Sequence, residues 1–271
     1  MSLFPFAIAI YLAASASLVL ASMKSRHWLI QAGLLLAFLG AILHAVLVWN
    51  AIDNPAGKDV NFFNMLSLAA VLTVAVIIPA SGASRSSQAC AIILPGAALC
   101  VFLQWVVPAK PLLLGSLSAA VRLHIISSLL AYSLLSIAAI NAIMLAVQDR
   151  ALRHPRLVHR LAPLPPLAAI ENIMFKLIWL GWLLLGLSLA TGAVFIDDLL
   201  AQHLAHKTIL SMLSWLLFGL LLLGRWRFGW RGWAAARWTL LAMLVLALAY
   251  FGSKLVLELV LGKSWQLSSA G

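Results

Sequence analysis

The side chains best equipped for chemistry in this sequence are histidines. In the stretch VRLHIISSLLAYSLLSIAAIN, His124 is followed by Ser128 and Tyr132, with Ser127 alongside. Offsets of four and eight put His124, Ser128 and Tyr132 on one helical face. A neutral imidazole ligates a metal through one ring nitrogen while the other is hydrogen bonded, and neighbouring hydroxyls can orient what it binds. His44, His203 and His206 are the further imidazoles set in or beside apolar stretches. Two imidazoles from different helices can hold a haem iron axially in an apolar pocket, their ring nitrogens roughly 4 Å apart and each about 2 Å from the metal. That chemistry makes His124 and His44 the candidate iron ligands, places His206 at the rim, and makes haem b the candidate cofactor. The competing reading is that buried histidines simply hydrogen-bond one helix to another. For Ser128 and Tyr132, polar packing stands equally open beside a ligand-facing role.

The elements that must position these groups are membrane helices. Apolar residues make up 64% of the chain and charged residues 9%, and the mean hydropathy is +1.07; a soluble domain has neither. A spanning helix needs about 20 mostly apolar residues. Such runs fall at about 3 to 23, 28 to 50, 62 to 80, 88 to 106, 120 to 147, 174 to 196, 207 to 224 and 236 to 261. The expected fold is therefore all-α, a polytopic membrane bundle of about eight helices forming one transmembrane domain over residues 1–271. The first run lacks a positive n-region and ends in Lys24 and Arg26, which reads as a retained span and not a cleaved signal peptide.

A formal charge of +11 would suit nucleic acid or acidic substrates, but the charges are segregated by loop. Lys24 and Arg26 follow the first run, Arg85 the third, Arg150, Arg153, Arg156 and Arg160 the fifth, and Arg225, Arg227, Arg231 and Arg237 the seventh. The alternate connections hold Lys58 beside Asp53 and Asp59, then Lys110, then Asp197 and Asp198. By the positive-inside rule the odd-numbered connections are cytoplasmic and both termini lie outside. The basic loops then read as topology anchors that meet lipid headgroups, and no nucleic-acid partner is expected. This topology collects His44, His124, His203 and His206 toward the outer face, while His27, His154 and His159 belong to the cytoplasmic side. The segment RHPRLVHRLAPLPPLAAIENIMFK reads as a kinked connector at the cytoplasmic interface.

The sequence holds no phosphate-cradling glycine loop, nucleophile elbow or H-E-x-x-H, so no catalytic residue is assigned and no enzyme is expected. Paired carboxylates of the kind that relay protons are missing, and Glu258 alone is too little for a pump. Cys90 and Cys100 are ten apart, neither a redox pair nor a metal knuckle, and read as small buried residues. Of eleven tryptophans, Trp28, Trp49, Trp105, Trp226 and Trp230 fall near predicted helix ends, as in an interfacial belt.

The order of these features is itself informative. The histidine-led span is followed by LPPL and LIWLGWLLLGLSLATGAVF, then a loop, then KTILSMLSWLLFGLLLL, GWRG and LALAYFGSKLV. In this the chain resembles the CcsA and CcmC type cytochrome c assembly proteins, well over residues 120 to 261 and more loosely before 110. Length, span number, GWRG and AYFGSK are most similar to the YpjD and HemX-like branch. The resemblance implies a bacterial inner-membrane protein that handles haem at the outer face. It implies that His124 is the outer haem-ligating histidine, that His44 corresponds to an intramembrane histidine, and that Lys207, Ser211 and Trp215 match the residues after the signature loop. The family's tryptophan-rich outer loop is here VFIDDLLAQHLAHKT, without tryptophan, and no histidine stands in VLELVLGKSWQLSSAG. The function expected is accordingly haem binding as a carrier, sensor or regulator and not as a transferase. The alternative is an accessory subunit that regulates another inner-membrane protein, such as an ion transporter, with haem dispensable. An independent transporter would need a polar path that the sequence does not supply. The partners expected are the lipid bilayer, haem and a membrane protein.

Overall fold

A computed structural model describes residues 2–24, 26–54, 57–82, 87–107, 113–114, 119–152, 166–195 and 205–252. Among them are eight helices long and apolar enough to cross a membrane: α1 (Phe4–Lys24), α2 (His27–Ile52), α3 (Phe62–Gly82), α4 (Ser87–Val106), α5 (Ala119–Leu152), α6 (Leu167–Phe195), α7 (Ala205–Phe228) and α8 (Gly232–Ala247). A π-helical turn, Leu248–Gly252, continues α8. The chain is an all-α polytopic membrane protein. Among the described residues the strands form one small antiparallel sheet, β1 (Asp53–Asn54), β2 (Gly57–Asp59) and β3 (Leu113–Leu114), in the order β1-β2-β3. It ties the α2–α3 connection to the α4–α5 connection through Lys58 opposite Leu114. Residues 153–165 and 196–204, the basic connector and the loop holding His203, lie outside the described residues, as do His154, His159 and Glu258.

In lipid each backbone group must find its partner within the protein, which is why these runs are helical. Pro95, inside α4, leaves the Ala91 carbonyl without its usual amide. Ser15 of α1 donates its hydroxyl to that carbonyl at 2.8 Å, so a break in one helix becomes a contact between two. Most other buried hydroxyls return to their own helix, as Thr73 does to Ala69, Ser133 to Leu129 and Thr239 to Ala235. The core runs along α5, which packs most heavily on α6 and then on α8 and α3, while α1 packs on α2 and α4.

The expected sixth span began at residue 174, but α6 starts seven residues earlier, at Leu167. The amides of Ala169 and Ile170 bond to the Pro166 carbonyl, so helix begins directly after the proline-rich stretch. Glu171 is thereby carried into the bundle, only 4% exposed. It pairs with Arg225 at the end of α7, accepts from Arg231 Nε at 3.3 Å and takes the Gly232 amide at 3.1 Å. The Arg225 guanidinium also lies 4.7 Å from the Phe175 ring centroid. Gly229 and Gly232, the ends of GWRG, have φ of 65° and 55°, which side chains rarely adopt. Trp230 between them lies against Gly224 and stacks on Trp238 at 5.7 Å. Two of the arginines expected to be simple anchors therefore also close an ion-paired turn, whereas Arg227 remains exposed. Trp28, Trp49, Trp105 and Trp226 face outward as a belt would, Trp226 at 84% exposure, while Trp182 and Trp215 stack on each other at 5.0 Å.

Candidate functional site

His124 and His44 both lie toward the end of the bundle that carries the even-numbered connections, but in different surroundings. Near the start of α5, His124 is half-buried, and its Nδ1 lies 2.8 Å from the Ser188 carbonyl oxygen of α6. A carbonyl only accepts, so Nδ1 carries the proton and Nε2 is left with its lone pair. Among the described residues Nε2 has no hydrogen-bond partner. The ring reaches this position because residue 192 is glycine: a Cβ there would stand 3.2 Å from His124 Cε1 and 3.3 Å from Nδ1. One imidazole nitrogen fixed on a main-chain carbonyl with the other open is the arrangement seen in metal-ligating histidines.

His124 opens onto a cavity of about 390 Å³, within the size range of small-molecule sites. Ser128 and Tyr132 continue the α5 wall, Ser188 and Gly192 belong to α6, and Lys207, Ser211 and Trp215 come from α7. Tyr250, on the π-helical turn, closes the side next to Tyr132, their rings 6.1 Å apart. Widened turns of this kind recur at functional sites because they re-aim one side chain without ending the helix. The walls are otherwise aliphatic, with Leu129, Leu185, Leu189 and Leu246 among them. Gly186 lets Trp215 approach α6, since a Cβ there would be 2.9 Å from the indole Nε1. That Nε1 is buried and has no hydrogen-bond partner among the described residues. Of the described residues that line the cavity, Lys207 is the single charged one, its Nζ 5.1 Å from the Tyr250 ring centroid.

His44 does not line this cavity. It is fully buried, and both of its ring nitrogens are engaged. Nδ1 is 3.1 Å from the Tyr11 hydroxyl and Nε2 is 2.7 Å from Ser67 Oγ. The string then continues across three helices. Ser67 donates to Gln104 Oε1 at 2.7 Å, Gln104 Nε2 donates to Asn64 Oδ1 at 2.9 Å, and Asn64 Nδ2 donates to the Asp59 carbonyl at 3.1 Å. Asp59 caps the same corner by accepting from the amide and side chain of Asn61. Since Ser67 gives its proton to Gln104, His44 Nε2–H donates to Ser67 and Tyr11 donates to Nδ1. No lone pair on His44 is left for iron. The expected pairing of His44 with His124 around one metal is thus not the arrangement of the described residues. His44 joins α1, α2 and α3 instead.

His206 falls in the first turn of α7, but its side chain is outside the described residues, as is all of His203. Among the described residues no three His, Cys, Asp or Glu side chains converge as a metal cluster. The residues missed by sequence reasoning are Tyr250, whose place depends on the π turn, Gly192, and the polar string behind His44. A signal for the last was present in Asn61, Asn64, Ser67 and Gln104, polar residues at the ends of otherwise apolar runs.

Comparison with known proteins agrees with this architecture. The family model described as cytochrome C assembly protein matches residues 29–261. Inner membrane protein YpjD of Escherichia coli K12 is 29% identical over 226 residues, covering 83% of this chain and 86% of that protein. An uncharacterized 28.8 kDa protein from the nifR3-like 5' region of Azospirillum brasilense is 38% identical over 144 residues, 52% of this chain and 53% of that one. No solved structure matches. With a helical membrane bundle, a histidine-bearing cavity between its helices and a family match over most of the sequence, the chain belongs to the cytochrome c assembly protein family.

Proposed function

We propose that this protein binds haem b in the cavity beneath His124 and acts in a bacterial inner membrane as a haem carrier, sensor or regulator. The observation that carries this reading is the setting of His124: its imidazole lines the cavity, and Nδ1 lies 2.8 Å from the Ser188 carbonyl oxygen, which places the proton of a neutral ring on Nδ1 and the lone pair on Nε2. An acceptor-only nitrogen fits a metal or a hydroxyl donor, and does not fit a ligand that needs a proton donated to its carbonyl. Bound haem would supply an iron whose potential and ligand chemistry an imidazole ligand tunes. The chain's own part would be to hold the iron through His124, to fix that ring through Ser188, and to exclude water with Tyr132, Trp215 and Tyr250. The partnerless Trp215 Nε1 adds one buried donor to the wall. The inner-membrane location is supported by the name of the E. coli relative. The arginine-rich odd-numbered connections support an orientation with both termini outside.

The test is the visible spectrum of gently purified full-length protein, oxidised and then reduced with dithionite. A Soret band that shifts on reduction, with haem near one equivalent, is the expected result. A colourless preparation that takes up no added haem and copurifies with a stoichiometric membrane partner would overturn it and establish the accessory-subunit reading.

A further inference from the structure

The turn between α7 and α8, at the end of the bundle that carries the odd-numbered connections, holds more positive charge than its own ion pairs use. Four guanidiniums stand around it, those of Arg225, Arg227, Arg231 and Arg237, against the carboxylates of Glu171 and Asp149. Asp149 Oδ1 would lie 4.0 Å from a Cβ on Gly232. Glu171 takes Arg225 and Arg231. Arg227 and Arg237 are both exposed, and among the described residues neither has a hydrogen-bond or ion-pair partner.

Each of these two arginines also ends an apolar row. On α7, Leu216, Leu220, Leu223 and Arg227 follow one another at four, three and four, the spacing of a single helical face, and all are exposed. On α8, Arg237, Leu241 and Leu244 follow at four and three, again all exposed. α7 enters the turn and α8 leaves it, so both arginines lie at the same end of the bundle, each at the foot of a leucine row that faces lipid. Trp226, Phe228 and Trp233 are exposed beside them, aromatic rings at the depth where a bilayer has its headgroups. The turn that presents these groups is built and not slack: Gly229 and Gly232 hold positive φ, Trp230 stacks on Trp238, and Glu171 holds the Gly232 amide. A guanidinium matches phosphate with two forked N–H donors. A zwitterionic headgroup brings its own cation to that phosphate, and a free phosphate leaves the leucine rows unused. An anionic phospholipid uses both the charge and the rows.

We infer that the α7–α8 turn is a binding site for an anionic phospholipid of the adjoining leaflet, with Arg227 and Arg237 as its phosphate ligands and the leucine rows as the track for its acyl chains. The site lies at the opposite end of the bundle from His124 and is independent of haem.

The experiment is native mass spectrometry of delipidated full-length protein in a neutral detergent, titrated with dioleoyl phosphatidylglycerol, with dioleoyl phosphatidylcholine, and with glycerol phosphate as a competitor. The wild type is expected to bind phosphatidylglycerol about tenfold more tightly than phosphatidylcholine, a difference of about two charges near an anionic surface, and glycerol phosphate should not displace it. Arg227→Gln and Arg237→Gln should each weaken phosphatidylglycerol about fivefold and leave phosphatidylcholine unchanged. Arg26→Gln is the control, because it removes an exposed charge from the same end of the bundle, between α1 and α2, and should change neither lipid. Equal binding of both lipids by the wild type overturns the site. An equal loss in Arg26→Gln reduces it to diffuse charge and overturns it as well, and displacement by glycerol phosphate at matched concentration overturns the lipid as occupant.

Discussion

His44 and His124 are the same side chain at the same end of one bundle, and the protein uses them in opposite ways. His44 sits among α1, α2 and α3 with both nitrogens spent, Nδ1 on Tyr11 and Nε2 on Ser67. His124, on α5, has one nitrogen spent on an α6 carbonyl, and its ring lines a cavity. The difference lies in the neighbours and not in depth. Ser67 and the Ser188 carbonyl each accept one ring N–H; at His44 the other nitrogen accepts from the Tyr11 hydroxyl, whereas among the described residues no donor meets Nε2 of His124. Space follows the same division: Gly186 and Gly192 hold α6 open to side chains of α7 and α5, while the Tyr11 ring meets the His44 ring edge to face at 5.7 Å. An imidazole in a membrane is thus closed into a hydrogen-bonded staple, or left with a lone pair to offer, according to what its second nitrogen meets.

The contrast can be broken most severely on the staple side. His44→Leu leaves the Tyr11 hydroxyl without its acceptor and removes the donor to Ser67, at a cost of about 2 kcal/mol in a buried site. The expected outcome is a clearly lower unfolding temperature in detergent with haem stoichiometry unchanged. Loss of haem from a variant that keeps its unfolding temperature would assign His44 to the ligand site after all.

A subtler change acts on the open side. In Gly192→Ala the new methyl meets the His124 ring at 3.2 to 3.3 Å, so the ring must give way and its bond to Ser188 is disturbed. Haem affinity should fall about tenfold, or about 1.4 kcal/mol. Stability should hold or rise slightly, since alanine favours helix over glycine by up to about 1 kcal/mol. Unchanged affinity in a titration would mean that His124's position against α6 does not matter to binding.

The smallest effect is expected at Ser128. Its hydroxyl bonds the Ile125 carbonyl of its own helix at 2.9 Å, a contact the helix does not need. Ser128→Ala should alter haem affinity by less than about 0.5 kcal/mol. A tenfold loss would show that this hydroxyl turns to the ligand and that the α5 stripe is a binding surface along its whole length.

What the sequence made legible was whatever depends on local pattern. Apolar runs of about 20 residues announced the spans, and offsets of four put His124, Ser128 and Tyr132 on one face. Both are consequences of helix geometry and need no knowledge of neighbours. The partners of His44 were not legible because Tyr11 and Ser67 are 33 and 23 residues away, and Tyr11 lies within an apolar run that gives no sign of its hydroxyl's use. The start of α6 was misplaced for a similar reason. Glu171 in LAAIENI reads as interfacial until Arg225 and Arg231, 54 and 60 residues later, neutralise it. Tyr250 was out of reach because a π turn, and not helical periodicity, aims it at the cavity.

The most direct measurement of the central claim is a haem titration of two matched variants, His124→Leu and His44→Leu, each checked for membrane insertion and monodispersity. The account predicts that His124→Leu loses the Soret band of a histidine-ligated haem while His44→Leu keeps it at wild-type position and stoichiometry. Retention of an unchanged Soret band by His124→Leu, or its loss from a well-folded His44→Leu, would contradict it.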